Sequence, residues 1–174
     1  MNKLIFLLVA VGSIAALIVG CSSRPSMRIG TYDSRAIAIA FGNSEEGRGF
    51  VTNLQVEMTK AKAAKNDSLI RHIEKTAETY QVLSHLRAFS VGSVTGILEK
   101  HKAEVNSVAK KAGVEVIVSK FELVYTGPDV DAVDVTLPLV RIFKPSAQAL
   151  KWISDVPKHE PLPMLDVLMI PAAE

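Results

Sequence analysis

The chain has 174 residues, with 20 basic and 18 acidic side chains and a formal net charge of +2. So small a net charge argues against a nucleic-acid partner, which requires a strongly basic surface. The single cysteine excludes an intramolecular disulfide bond. The apolar run in the first twenty residues inflates the overall hydrophobicity, and the rest of the chain is long enough for one domain with a modest core.

The amino-terminal segment has the pattern of a secretory signal peptide. Lys3 provides a short positive region, and an almost unbroken apolar run extends from Leu4 to Val19. That run of roughly 16 residues is shorter than the 20 or so that a membrane-spanning helix needs. We therefore predict that residues 1–20 are removed during export.

The junction at residues 17–21 (LIVGC) resembles a bacterial lipobox, in which the cysteine thiol is acylated before cleavage. We predict lipidation of Cys21, a lipidated tether over residues 21–26, and anchoring on the periplasmic side of the cell envelope. Ser22 follows the cysteine, and by resemblance to lipoprotein sorting rules the lack of Asp there favours the outer membrane. The alternative is an ordinary signal peptide or an N-terminal anchor with an incidental cysteine.

The first elements after the tether are a strand and a short helix. Residues 27–32 alternate in a way that predicts a strand, and Asp33 or Ser34 is suited to cap the next helix. Three glycines in residues 42–49 (GNSEEGRG) predict a loop.

Residues 54–86 are strongly helical in composition and contain neither proline nor glycine. Residues 66–68 (NDS) interrupt the pattern, and Asp67 or Ser68 is suited to cap a second helix. An apolar stripe then continues at helical spacing through Leu69, Ile73, Ala77, Tyr80 and Leu83. One narrow apolar seam on a polar rod is typical of a coiled-coil or arm helix.

The second half of the chain contains further helices and short strands. Ser93 is predicted to cap a helix that ends at Gly113, and the β-branched residues 114–121 predict a strand. A brief edge strand is predicted at residues 133–135, with Thr136 capping the next helix. The pattern of residues 146–153 predicts a helix that packs through Trp152. Residues 157–174 are predicted to form an extended tail, of which the segment 164–170 docks on the core.

Two segments resemble the OmpH/Skp-like family of periplasmic proteins. Residues 28–41 (RIGTYDSRAIAIAF) are similar to the opening of that family. Residues 105–140 (VNSVAKKAGVEVIVSKFELVYTGPDVDAVDVTLPLV) match its order of helix end, apolar strand, aspartate-rich turn and D-V-T helix cap. The resemblance covers roughly residues 28–144.

The resemblance implies an α+β fold in which a small β-sheet body carries protruding helical arms of coiled-coil character. It also implies a homotrimer that holds unfolded outer-membrane or periplasmic polypeptides without ATP, cofactor or metal. This chain departs from the family in its shorter helical region, its lipid anchor, and a tail that has no counterpart. We therefore expect an OmpH/Skp-like domain over 27–144, with arm helices about 54–112, and a C-terminal extension over 145–174.

Candidate functional residues can be named from this interpretation. Basic side chains interspersed with apolar ones suit weak, adaptable contacts with unfolded clients. On the arms we expect these contacts at Lys60, Lys62, Lys65, Arg71, Lys75 and Tyr80. On the body we expect the subunit interface at Ile29, Val116 and Val118. An ordinary solvated helix face explains the same charge pattern equally well.

The sequence carries no pattern that indicates an enzyme or a metal site. The four histidines (His72, His85, His101 and His159) form no dense ligand spacing, and there is no HExxH motif. Asp129, Asp131 and Asp134 alternate around a turn but lack the glycine and the terminal glutamate of an EF-hand. No nucleophile elbow and no phosphate-binding glycine pattern is present. We therefore predict a non-enzymatic protein, whose alternative function is that of a lipid-anchored scaffold binding one folded partner.

Overall fold

The computed structural model describes residues 27–170, and the predicted lipidation at Cys21 lies outside this range. The described residues form an α+β fold with a three-stranded parallel sheet and eight α-helices. The strands are β1 (Met27–Tyr32), β2 (Val116–Ser119) and β3 (Val130–Asp134). The helices are α1 (Ser34–Gly42), α2 (Glu45–Ala63), α3 (Asp67–Phe89), α4 (Thr95–Lys100), α5 (Lys102–Ala112), α6 (Thr136–Val140), α7 (Ala147–Asp155) and α8 (Met164–Leu168).

The sheet has the order β2-β1-β3, so the first strand of the fold lies in the centre. Ile29 pairs with Val116 on one side and with Ala132 on the other, and both pairings are parallel. β1 has the bounds that the alternation predicted, and β3 is an edge strand as expected, although it begins three residues earlier.

The two faces of the sheet differ because successive side chains of a strand point in opposite directions. Tyr32 belongs to the main core, and a Cβ at Gly30 would lie 3.1 Å from the side chains of Ile117 and Val135. That face is covered by helices. The opposite face leaves Met27 and Val116 each 45% exposed.

The core lies between the sheet and α1, which turns back directly after β1. Asp33 caps α1 by accepting a hydrogen bond from Arg35 N (3.0 Å), as predicted from its position. The apolar face of α1 is then buried through Ala36, Ile37 and Ala40, at the one- and four-residue spacing of a helix.

α2 and α3 form an antiparallel hairpin, and the predicted loop at residues 42–49 is wrong. Ser44 accepts a hydrogen bond from Gly47 N (3.1 Å) and donates one to the carbonyl of Phe41 (2.6 Å), so that α2 begins already at Glu45. The predicted interruption near residue 66 is confirmed as the turn of the hairpin. Asn66, rather than Asp67 or Ser68, caps α3 by accepting from Leu69 N (3.1 Å).

The helix predicted after residue 93 is divided in two at His101. The imidazole of His101 lies edge-on to Phe143, with 5.0 Å between the ring centroids, and its Nε2 is 3.0 Å from Glu46 Oε2. Ser93 is not the N-cap, since Val94 occupies that position without a side-chain hydrogen bond. Gly113 ends α5 in the left-handed conformation (φ 65°), as predicted.

The C-terminal helices α7 and α8 pack against the rest of the fold. The predicted helix over residues 146–153 is confirmed as α7, which Ser146 caps and in which Ala149 and Ile153 are buried. The prediction for Trp152 is wrong, since its side chain points outward and is 48% exposed. The prediction of an extended tail is wrong at residues 164–168, which form the short helix α8. The expected docking of this segment is confirmed, since α8 buries Val167 and lies against α3.

Candidate binding surfaces of the helical hairpin

The hairpin contacts the rest of the fold at its base. Along the remainder of its length, α2 and α3 pack only on each other within residues 27–170. α2 buries Gly47, close to its start, and Ala61, while α3 buries only Ile73. α1 lies against the second half of α3, where Ala38, Ile39 and Phe41 face the residues around Ser84. The outer part of the hairpin therefore presents most of its surface to solvent.

The seam between the two helices is narrower than the sequence stripe predicted. Ile73 is 2% exposed, and the ring of Tyr80 packs on that of Phe50 with 4.5 Å between centroids. Leu69 and Leu83 belong to the same stripe, yet each is 39% exposed. The short side chain of Ala77 is exposed as well and borders an open crevice.

That crevice lies on one side of the hairpin and has a volume of about 630 Å³. We call it the trough. Its apolar lining residues are Val51, Leu54, Met58, Ile73, Ala77 and Tyr80, and its polar ones are Gln55, Thr59, Gln81, Ser84 and His85.

The other side of α3 carries two shallower depressions of about 350 and 370 Å³. They share the lining residues Lys75, Thr79 and Leu83, and the second also contacts Val82 and Leu86. Together they form a continuous surface along α3, which we call the outer strip. Val82 is 36% exposed and Leu83 39% exposed, so the apolar atoms of the strip are accessible.

The structure brings the predicted client-binding residues together near the tip of the hairpin. Lys60, Lys62, Lys65 and Arg71 are exposed and form no ion pair within the described part of the chain. Lys75 pairs with Glu78 at 2.9 Å, and Tyr80 lies lower, in the seam. Residues 58–75 carry five basic and two acidic side chains, so the tip has a net charge of +3.

The three predicted interface residues all lie on the sheet face away from the helices. Ile29 and Val116 are register partners, and Val118 pairs with Thr31 on the same face. Ile29 is only 7% exposed within a single chain, so it offers a second subunit no surface, contrary to the prediction. Val116, which is 45% exposed, does offer a second subunit a surface, and Val118 is half-buried.

A buried ionic cluster at the carboxyl end of β1 was missed from the sequence. Arg35 donates to both carboxylate oxygens of Asp33, at 3.1 and 2.8 Å, and Lys120 Nζ lies 2.8 Å from Asp33 Oδ2. Arg35 also donates to the carbonyl of His159 (2.7 Å) and lies 5.2 Å from the ring centre of Phe121. The signal that could have found it is that carboxyl ends of parallel strands meet at one edge, and both Asp33 and Lys120 directly follow strands.

The electrostatics of this cluster are those of a structural ion pair. Burial raises the pKa of the Asp33 carboxyl, but hydrogen bonds and charges from Arg35 and Lys120 outweigh burial and lower the pKa overall. Burial, with the nearby charge of Glu122, raises the pKa of the Tyr32 phenol. The Asp33 carboxylate already caps α1 and pairs with two cations, which leaves it no free capacity for a ligand.

The remaining candidates serve local structure. Asp131 and Asp134 lie in β3 rather than in a turn, where Asp131 pairs with Arg28 of β1 (2.8 Å) and Asp134 accepts from Thr136 N (2.8 Å). Thr136, predicted as a cap, instead accepts from Asp33 N at 3.0 Å. No group of three or more potential metal ligands occurs among residues 27–170.

Comparisons with protein-family models, with curated proteins and with solved structures found no match to this chain. Among the helices of residues 27–170, none has both the length and the apolar content needed to cross a bilayer.

Proposed function

We propose that this chain is a lipid-anchored envelope protein that holds unfolded outer-membrane or periplasmic polypeptides without ATP, in the manner of the OmpH/Skp-like family that its sequence resembles. The hairpin takes the part of the client-binding arm. The observation that carries the proposal is the outer strip, a surface of α3 on which the apolar side chains of Val82 and Leu83 are 36% and 39% exposed.

The chemistry of the strip suits clients without a fixed shape. Val82 and Leu83 offer apolar contact, while Thr79 and Lys75 lie among them and keep the surface hydrated. The two depressions are shallow and open into each other, so they select no particular side chain. Exposed apolar area of this kind usually marks an interaction surface.

Charge on the hairpin adds long-range attraction. The net charge of +3 over residues 58–75 lies at the tip, whereas Glu46 at the base is engaged by Lys100 (3.7 Å) and His101 (3.0 Å). A basic tip raises the encounter rate with acidic unfolded chains, and that contribution weakens with salt.

Self-association through the sheet is the second part of the proposal. Parallel sheets are normally covered on both faces, because their crossover connections place helices there. Here Met27 and Val116 are exposed on one face, which is therefore only partly covered. A second copy seated on it would bury these side chains, and the family resemblance suggests three copies.

The test is the solution mass of residues 22–174, a span that includes the whole described fold, measured by light scattering with and without urea-unfolded barrel proteins. We expect a discrete complex and suppressed aggregation for several unrelated barrels. Val82→Glu with Leu83→Glu should abolish both effects. The matched control is Leu137→Glu with Leu150→Glu, two exposed apolar residues of the body (52% and 40%), and it should retain them.

Failure of the wild-type chain to suppress aggregation of any barrel protein would overturn the holdase proposal. Equal activity of the strip variant and its control would show that the outer strip is not the client surface.

A scaffold function is the second candidate, and the C-terminal helix favours it. On α8, Leu165 is 75% exposed, and the adjoining Met169 is 82% exposed. Leu162 N donates to the carbonyl of Phe89 (2.8 Å), which holds this apolar segment against the end of α3. A fixed apolar face suits one folded partner, and such a scaffold would ignore unfolded barrels.

A further inference from the structure

The trough has the dimensions of a channel for one extended apolar chain. Its lining residues span 51–59 on α2 and 73–85 on α3. At 1.5 Å per residue these stretches are roughly 12 and 18 Å long. The volume of about 630 Å³ lies within the range of ligand sites, about 300–1,000 Å³.

The trough continues inward at the base of the hairpin. Tyr80, Ser84 and His85 also line a second cavity of about 250 Å³ between α3 and α1, where Ala38 and Ile39 form the opposite wall. The trough and this second cavity, which we call the inner cavity, therefore adjoin at the base of the hairpin.

Few hydrogen-bonding groups face the trough. Both walls are α-helices, whose interior backbone groups are paired within the helix. The hydroxyl of Thr59 donates to the carbonyl of Gln55 (2.9 Å), and that of Ser84 to the carbonyl of Tyr80 (2.8 Å). The side chains that remain to bind polar groups of a ligand are the hydroxyl of Tyr80 and those of Gln55, Gln81 and His85.

These features distinguish between possible occupants. An extended peptide carries a backbone donor and acceptor on each residue, and most of those facing the walls would stay unpaired. A third helix has a diameter of about 10–12 Å and would meet α1 at the base, because α1 packs against that part of α3. A hydrocarbon chain needs no polar partners and is thin enough to bend into the inner cavity.

We propose that the trough binds a single long acyl chain, as presented by a free fatty acid. The methyl end lies in the inner cavity beside Ala38, and the carboxylate remains in water at the open tip. Lys62 lies one turn beyond Met58, and Glu74 lies three residues before Ala77 on the facing helix. The net charge of +3 over residues 58–75 attracts the carboxylate to that end of the trough.

The test is calorimetric titration of residues 22–174 with fatty acids below their micelle concentration, from eight to sixteen carbons. We expect saturable binding of one palmitate per chain. Each added methylene should tighten binding by up to about fourfold, until the channel is full.

Two variants fill the trough from opposite walls, namely Ala77→Trp and Val51→Trp. Both residues are exposed, so the larger side chain does not disturb the core. Each should weaken palmitate binding at least tenfold, with helical content by circular dichroism unchanged. Thr79→Trp is the matched control, because it adds the same bulk on the outer-strip side of α3 and should bind palmitate as the wild type does.

Ala38→Phe tests the inner cavity and should shift the plateau to shorter chains. The absence of saturable palmitate binding would overturn the proposal, as would wild-type affinity in both trough-filling variants. Binding of an unfolded apolar peptide that palmitate cannot displace from the trough would also overturn it. The outer-strip variant Val82→Glu with Leu83→Glu should keep palmitate binding, so this site and the client surface can fail independently.

Discussion

Replacing Asp33 with alanine removes the group on which four parts of the chain converge. The Asp33 carboxylate caps α1, pairs with Arg35 and pairs with Lys120 after β2. Through Arg35 it also orders the segment at His159, whose carbonyl accepts from the guanidinium (2.7 Å). The substitution leaves a guanidinium that is 5% exposed without its carboxylate.

The expected loss of unfolding free energy depends on the burial of the two partners. Removing one member of a buried ion pair costs about 3–5 kcal/mol. The lower end applies here, since Arg35 keeps its bond to His159, and Lys120, whose side chain is 41% exposed, can turn to water. About 3 kcal/mol corresponds to a fall in melting temperature of roughly 6–12 °C for a domain of this size.

The assay is urea unfolding followed by circular dichroism, with two matched variants. Asp33→Asn removes the charge but keeps a capping oxygen, and it should be more stable than Asp33→Ala by about 1 kcal/mol. Asp131→Ala breaks the exposed pair with Arg28, whose side chains are 43% and 52% exposed, and should cost about 0–1 kcal/mol. If Asp33→Ala costs no more than Asp131→Ala, the cluster does not hold the fold together.

The dependence on pH has a definite sign. The pKa of the Asp33 carboxyl is lower in the folded chain than its ordinary value, so the ionised form is favoured by folding. Its contribution is complete above the unfolded pKa of about 3.9 and declines as the pH falls through the folded pKa. The difference in stability between wild type and Asp33→Ala should therefore be constant near neutral pH and shrink in acid, which urea melts at stepped pH will measure.

Three other substitutions test particular contacts. Val116→Asp should leave the fold intact, because Val116 is 45% exposed, and should lower the mass in light scattering to that of one chain; an unchanged oligomer mass would exclude this sheet face as the interface. Gly113→Ala should cost about 1–2 kcal/mol in urea melts, since φ is 65° and the new Cβ would lie 2.9 Å from Arg28 Nη1. Gly47→Ala should cost about 1–3 kcal/mol, because the new Cβ would collide with the carbonyl of Phe41; a stability equal to wild type would contradict the tight entry into α2.

Features that depend on neighbours in the chain could be predicted from the sequence. The bounds of β1, the capping role of Asp33 and the ending of α5 at Gly113 all appear as expected. Each depends on an interaction within a few residues, so the local sequence contains most of the information. The interruption near residue 66 belongs to the same class, because Asn66 caps α3 with its own side chain.

The candidate surfaces could be predicted only in part. The stripe from Leu69 to Leu83 indicated an apolar face on α3, but it could not tell the seam from the exposed outer strip. The trough depends on the side on which α2 lies against α3, and its inner cavity on where α1 crosses. The spacing of apolar residues along one helix does not show on which side α2 lies or where α1 crosses.

By itself, the sequence determined most of the local elements of residues 27–170 and the order in which they occur. Tertiary structure alone decided that His101 divides a helix where it meets Phe143, and that Trp152 points outward. It also decided the burial of Arg35, a residue type that is seldom buried without a partner. The physical reason is that burial and ion pairing depend on groups distant in sequence, whose proximity arises only when the helices close over the sheet.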